Sequence, residues 1–175
     1  LMKYLLIISS TKNSNFDLSQ KIKSFFDNKD SLITKIISLE DFDLPLYTPS
    51  LEETFKAEKN FPDEIKNLKE ILLESHSIIW CSPEYNGGIS PIVTNAIAWI
   101  SRATVDWKDA FNNKNMLICS SSGGNGKSFV EGFKIQLKYL GSDVMGESLI
   151  QTKKNTITNV ELDDTLSNFY FKIIN

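Results

Sequence analysis

The chain predicts an α/β fold, a five-stranded parallel sheet of strand order 2-1-3-4-5 with helices on both faces. Three observations predict it. Short apolar runs alternate with amphipathic stretches across the 175 residues, the pattern of repeated strand–helix units. The first, third and fourth runs are apolar at nearly every position, as strands buried on both faces are. The loops after those same three runs are rich in Ser, Asn and Gly, and this order opens its ligand crevice at the carboxyl ends of strands one and three.

Tyr4 to Ile8 is the first strand, followed by the polar loop Ser9 to Asn15. A helix then carries Leu18, Ile22, Phe25 and Phe26 at helical spacing. Leu32 to Ile37 reads as the second strand, and residues 40–60, which hold Pro45 and Pro49, read as an irregular connection. Phe61-Pro62-Asp63 starts a helix with Ile65, Leu68, Ile71 and Leu72 on one face. The third strand is His76 to Cys81, and its helix runs from Pro91 to Arg102, Pro91 suiting a first turn because it needs no intrahelical donor. Met116 to Cys119 is the fourth strand, leading through the loop Ser120 to Gly126 into a helix with Phe129, Phe133, Leu137 and Leu140. Gly141 ends that helix, a fifth strand falls between Asp143 and Ile150, and a last helix spans Glu161 to Ile173. Nothing marks a linker or repeat, so residues 1–175 are expected to form a single domain, long enough to bury a core.

Composition excludes several classes. A net charge of −3 gives no basic stripe, so neither nucleic acid nor an anionic membrane is an expected partner. No apolar run approaches a membrane span, and the segment from Met2 enters a strand rather than a cleavable signal. Leu1 ahead of Met2 is read as a cloning remnant. The two cysteines, Cys81 and Cys119, read as reduced and buried, with no disulfide framework or metal site, and the expected location is the cytoplasm. Arg102 is the one arginine, which fits a placed role and a compositional bias equally. His76 reads as structural, Trp99 and Trp107 as core or subunit-contact residues, and Glu52-Glu53 and Asp163-Asp164 as solvated.

The chemistry is expected in the three loops. Ser9 to Asn15 offers hydroxyls, amides, backbone N–H groups and the ammonium of Lys12 ahead of a helix, a phosphate cradle whose bland alternative is N-capping by Ser14 or Asn15. Pro83-Glu84-Tyr85-Asn86-Gly87-Gly88 is a turn at a strand end whose glycines let a flat heteroaromatic ring approach the backbone, as a flavin requires. Gly126-Lys127-Ser128 imitates a P-loop, but Ser121 stands where the first glycine belongs, so the loop is expected to cover the far edge of the ring instead.

Ser82-Pro83-Glu84-Tyr85-Asn86-Gly87, continued by Asn95 to Arg102, resembles the NADPH-dependent FMN reductase family, the flavodoxin-like group that includes quinone, azo-dye and chromate reductases. Asp43 to Tyr47, the first loop and Ser122-Gly123-Gly124 support the resemblance. It implies a flavodoxin-like three-layer sandwich with non-covalent FMN, the phosphate on Ser10, Lys12, Ser14 and Asn15 and the ring on Pro83 to Gly87 with Ser122, Gly123 and Gly124 nearby. Ser9 stands where the family usually has Gly and Lys12 where it has Arg; lysine gives up bidentate phosphate binding, which implies weaker FMN retention. The implied reaction is hydride transfer from NADPH or NADH to the flavin and on to a small-molecule electron acceptor, with ping-pong kinetics and no protein acid–base pair. A homodimer or homotetramer is implied, with the Pro91–Arg102 helix as interface candidate. The competing readings are a non-enzymatic electron carrier or redox-sensing module, and a flavin-free assembly unit.

Overall fold

The computed structural model describes residues 2–175, so the expectation for Leu1 lies outside it. Six strands, β1 (Lys3–Ser9), β2 (Leu32–Ser38), β3 (Ser77–Cys81), β4 (Asn115–Ser122), β5 (Asp143–Val144) and β6 (Leu149–Thr152), form one parallel sheet. Its order is β2-β1-β3-β4-β5, with β6 also on β4. Six α-helices connect them: α1 (Ser14–Phe26), α2 (Pro49–Ala57), α3 (Asp63–Glu74), α4 (Pro91–Ala103), α5 (Lys127–Tyr139) and α6 (Asn159–Ile174).

The alternation of side chains along the central strands divides the core into two layers. Leu6, Ile8, Ile78, Trp80, Met116 and Ile118 face α3, α4 and α5. Leu5, Ile7, Ile79, Leu117 and Cys119 face α1 and α6. All five residues of β3 are buried, as expected of the middle of a sheet covered on both sides.

Four expectations need correction. The fifth strand divides into β5 and β6 because four residues, Met145 to Ser148, lie opposite only Leu117 and Ile118 of β4, and the excess bulges out of the ladder. β4 runs on through Ser120, Ser121 and Ser122, expected as loop, because β6 pairs with them. The connection over 40–60 holds α2, started by Pro49 in its first turn and by the Thr48 hydroxyl accepting from Leu51 N–H at 3.2 Å. Its Glu52 is not solvated: it accepts from the Tyr47 hydroxyl at 2.6 Å and pairs with Lys56 at 2.5 Å.

Elsewhere the termini follow their signals. Thr158 and Glu161 form a capping box at the start of α6, and Gly141 at φ +89° follows the end of α5. His76 is exposed, accepting from Tyr4 N–H through Nδ1 at 3.1 Å. Trp99 is buried, whereas Trp107 is partly exposed against Tyr139. Among the described residues no helix is long and apolar enough to cross a membrane. No group of three or more His, Cys, Asp or Glu residues there could hold a metal ion.

Candidate active site

Strand register assembles the site. Ser9 stands beside Cys81, and Cys81 beside Cys119, so β1, β3 and the apolar part of β4 end level and deliver their loops to one edge of the sheet. Burial raises the Cys119 thiol well above its ordinary pKa, and both cysteines are free and buried beneath the loops. The loops are bonded to the neighbouring strands: Ser10 N–H donates to Cys81 O at 2.9 Å and Ser82 N–H to Cys119 O at 3.1 Å.

In the first loop Asn13, not Ser14 or Asn15, caps α1, accepting from Asn15 N–H at 3.1 Å. Asn15 is buried and its amide is spent on β4, donating to Ser121 O at 3.0 Å and accepting from Ser121 N–H at 2.8 Å. Ser14 is exposed and lines a cavity of about 380 Å3 with Ser121, Ser122 and Gly123. Lys12 is exposed, its ammonium paired with Asp41 and its N–H donated to Glu40. The hydroxyls of Ser10 and Thr11 are buried and have no partner. A buried polar group without a partner costs on the order of 1–3 kcal/mol, so two in one loop mark a place that awaits an acceptor.

The second loop is a tight turn. Tyr85 and Gly88 exchange backbone hydrogen bonds at 3.0 and 2.8 Å, while Asn86 and Gly87 hold φ of +49° and +73°. Two successive left-handed residues of Asn-Gly type define a type I′ turn, which leaves the Asn86 and Gly87 N–H groups without a partner among the described residues. Tyr85 is half exposed. Glu84 is turned inward: its N–H donates to Ser122 Oγ at 2.6 Å, and its carboxylate accepts from Phe129 N–H at 3.2 Å. Phe129 lies in the first turn of α5, where orphan N–H groups favour a carboxylate. Glu84 therefore clamps the turn after β3 onto the loop after β4, a role not visible in the sequence because the partners stand 45 positions apart.

The third loop closes the site. Gly123 faces open space, and a Cβ there would meet nothing within 4 Å. Gly126, at φ +70°, sits where a Cβ would come within 2.9 Å of the Ile150 side chain, so both the bend and the packing favour glycine. Gly123 and Gly124 open onto a second cavity of about 560 Å3 that also contains Lys127, Lys153 and Lys154. The two lysines after β6 were missed from the sequence; the signal available was their adjacency in a loop at the same sheet edge.

The arrangement fits FMN: unpartnered buried hydroxyls and a lysine for a phosphate, free backbone N–H groups for the polar edge of a ring, and side-chain-free backbone at Gly87 and Gly123 for close approach. Residues 2–155 match the family described as NADPH-dependent FMN reductase. An uncharacterized protein of Mycoplasma pneumoniae, the MG342 homolog, is 26% identical over 150 residues, covering 83% of this chain and 84% of that protein. The NADPH:quinone oxidoreductase of Arabidopsis thaliana is 35% identical over 83 residues, 47% of this chain, and the match spans only 38% of that relative's own length. In fold, the chain superimposes on FerB, a flavoenzyme NAD(P)H:(acceptor) oxidoreductase from Paracoccus denitrificans, with a TM-score of 0.79 at 19% identity, covering 99% of this chain and 98% of that one. Fold, loop chemistry and family match agree: the chain belongs to the NADPH-dependent FMN reductase family, an NAD(P)H-dependent oxidoreductase of flavodoxin-like fold that uses FMN.

Proposed function

We propose that the chain forms one FMN-binding unit in which NAD(P)H and a small acceptor, a quinone in the first instance, use the same place in turn. The observation that carries this reading is that β1, β3 and the apolar part of β4 end level, which delivers unpartnered hydroxyls on one loop and free amides on another to the same edge of the sheet. When bound, FMN supplies the ring nitrogen that takes hydride from the nicotinamide and passes it to the acceptor. Ser10, Thr11 and Ser14 hold its phosphate, with Lys12 released from Asp41 to neutralise it. Pro83 to Gly87 lie against the ring, and the Asn86 and Gly87 N–H groups favour negative charge at its edge. Glu84 and Asn15 act on the ligand through the loops they fix.

Purified protein supplemented with FMN should show a flavin absorption spectrum that bleaches anaerobically with NAD(P)H and returns on adding a quinone. Initial rates at several fixed quinone concentrations should give parallel double-reciprocal lines. Intersecting lines would require both substrates bound together and would sink the shared-site reading. A homodimer or homotetramer formed around α4 is supported by exposed Leu46, whose chain neighbours Pro45 and Tyr47 are bonded to Asn95 and Trp99 of that helix, and by fully exposed Val105 just past the helix end. Cytoplasmic residence fits the two free thiols.

A further inference from the structure

Two cavities are contiguous along α1. The first, of about 380 Å3, begins at Ser14 and Gly123 and contains Lys21 and Lys153. The second, of about 320 Å3, lies farther along the helix, reaching Ser24. Lys21 and Gln151 line both, so together they make one trough between α1 and the chain that leads from β6 into α6. At a helical rise of 1.5 Å per residue, Ser14 to Ser24 spans roughly 15 Å, enough for an adenosine monophosphate unit. The trough changes character along its length. Near Ser14 its charge is of one sign: Lys21 and Lys153 line it and no carboxylate does. None of the seven ion pairs among the described residues uses either ammonium group. Past Lys21 the lining turns apolar, with Leu18, Ile157 and Leu162, and the amides of Gln151 and Asn159 join it. Gln151 donates to Ser121 Oγ at 3.0 Å, which leaves its carbonyl oxygen without a partner among the described residues. Cations followed by an apolar slot with a few amides suit a nucleoside monophosphate: charge for the phosphate, apolar surface for the face of the base, amides for its edge.

We propose that this trough takes the adenylyl half of FAD, so that the chain accepts FAD as well as FMN. The assignment rests on the reading that the first loop holds the flavin phosphate. FAD is FMN whose phosphate carries adenosine monophosphate, and the trough opens at Ser14, which that reading sets against the phosphate. The added half therefore has a place to go while the ring keeps its own. Its phosphate meets Lys21 and Lys153, where like charges gathered in one cleft repel and a bound anion offsets that cost. Its adenine lies along Leu18, Ile157 and Leu162, with Gln151 and Asn159 within the same lining.

The test is calorimetric titration of flavin-free full-length protein with FMN and with FAD, a readout independent of turnover. Wild type should bind FAD at least as tightly as FMN. In the double variant Lys21→Gln/Lys153→Gln, whose positions are both exposed, the Kd for FAD should rise about ten-fold or more while that for FMN moves less than about two-fold. The salt dependence of FAD binding should flatten in the same variant. FAD bound more weakly than FMN by wild type would show that the adenylyl half finds no site. FAD affinity untouched by the variant would put that half elsewhere, and equal losses for both flavins would assign the lysines to the phosphate the two share. Any of these three results overturns the proposal and leaves the flavin reading standing. Protein that takes up neither flavin would overturn the flavin reading itself, and this proposal with it.

Discussion

At the residue scale the site separates groups that meet a ligand from groups that hold the loops. Asn15 and Glu84 belong to the second kind: each spends its side chain on a different loop or strand. Gly87 and Gly123 belong to the first, and they make a discriminating pair. Gly87 holds φ +73°, so Gly87→Val costs backbone strain of roughly 1–2 kcal/mol in addition to any effect on a ligand. Gly123 has no left-handed φ and open space around its Cβ position, so Gly123→Val should leave the melting temperature within a degree or two. If the ring lies where we propose, both variants should weaken FMN binding about ten-fold or more in a fluorescence titration. Unchanged FMN affinity in the Gly123 variant would move the ring away from this loop.

At the element scale, the apolar runs of β1, β3 and β4 were legible because burial on both faces leaves few polar positions, and α4 was legible from Pro91. What escaped was set by pairing rather than by local composition: the serine end of β4 is a strand only because β6 lies beside it. The end of α3 is another such case, because its partner is distant in sequence. Lys114, just before β4, is buried and donates to Leu72 O, to Leu73 O at 3.2 Å and to Ser75 O at 2.5 Å, capping the helix with an ammonium group. Burial pulls its pKa down to about 8 from the ordinary 10.5. The unfolded chain keeps that proton to higher pH, so the stability contributed by this lowered pKa is full above about 10.5 and lost as pH falls through about 8. Discounted for solvent screening, wild type should gain roughly 1–2 kcal/mol over Lys114→Met between pH 8 and 10 in urea unfolding. A difference independent of pH would show that the carbonyls hold the ammonium strongly enough to cancel the burial effect.

At the scale of the whole molecule, the site belongs to no single element. Its three loops are distant in the chain and meet because parallel register ends β1 and β3 level with Cys119 of β4, whose serine extension carries the third loop from the same edge. The sequence carried the loop compositions and the Ser-Pro-Glu-Tyr-Asn-Gly turn, which is why the cofactor class was readable. It did not carry which polar groups are used up internally, since Asn15, Glu84 and Lys12 find their partners only after folding. The loops are joined by a handful of long-range hydrogen bonds, and the buried hydroxyls of Ser10 and Thr11 have no protein partner at this edge. A ligand that binds only the folded chain stabilises it by mass action, about 2.7 kcal/mol at a hundred times its Kd. For a chain of 175 residues that corresponds to a rise in melting temperature of roughly 5–10 °C with saturating FMN. Riboflavin, which lacks the phosphate, should give distinctly less, because the Ser10–Ser14 loop would stay unsatisfied. Equal shifts from FMN and riboflavin would mean that the first loop holds no phosphate, and the orphan hydroxyls of Ser10 and Thr11 would need another partner.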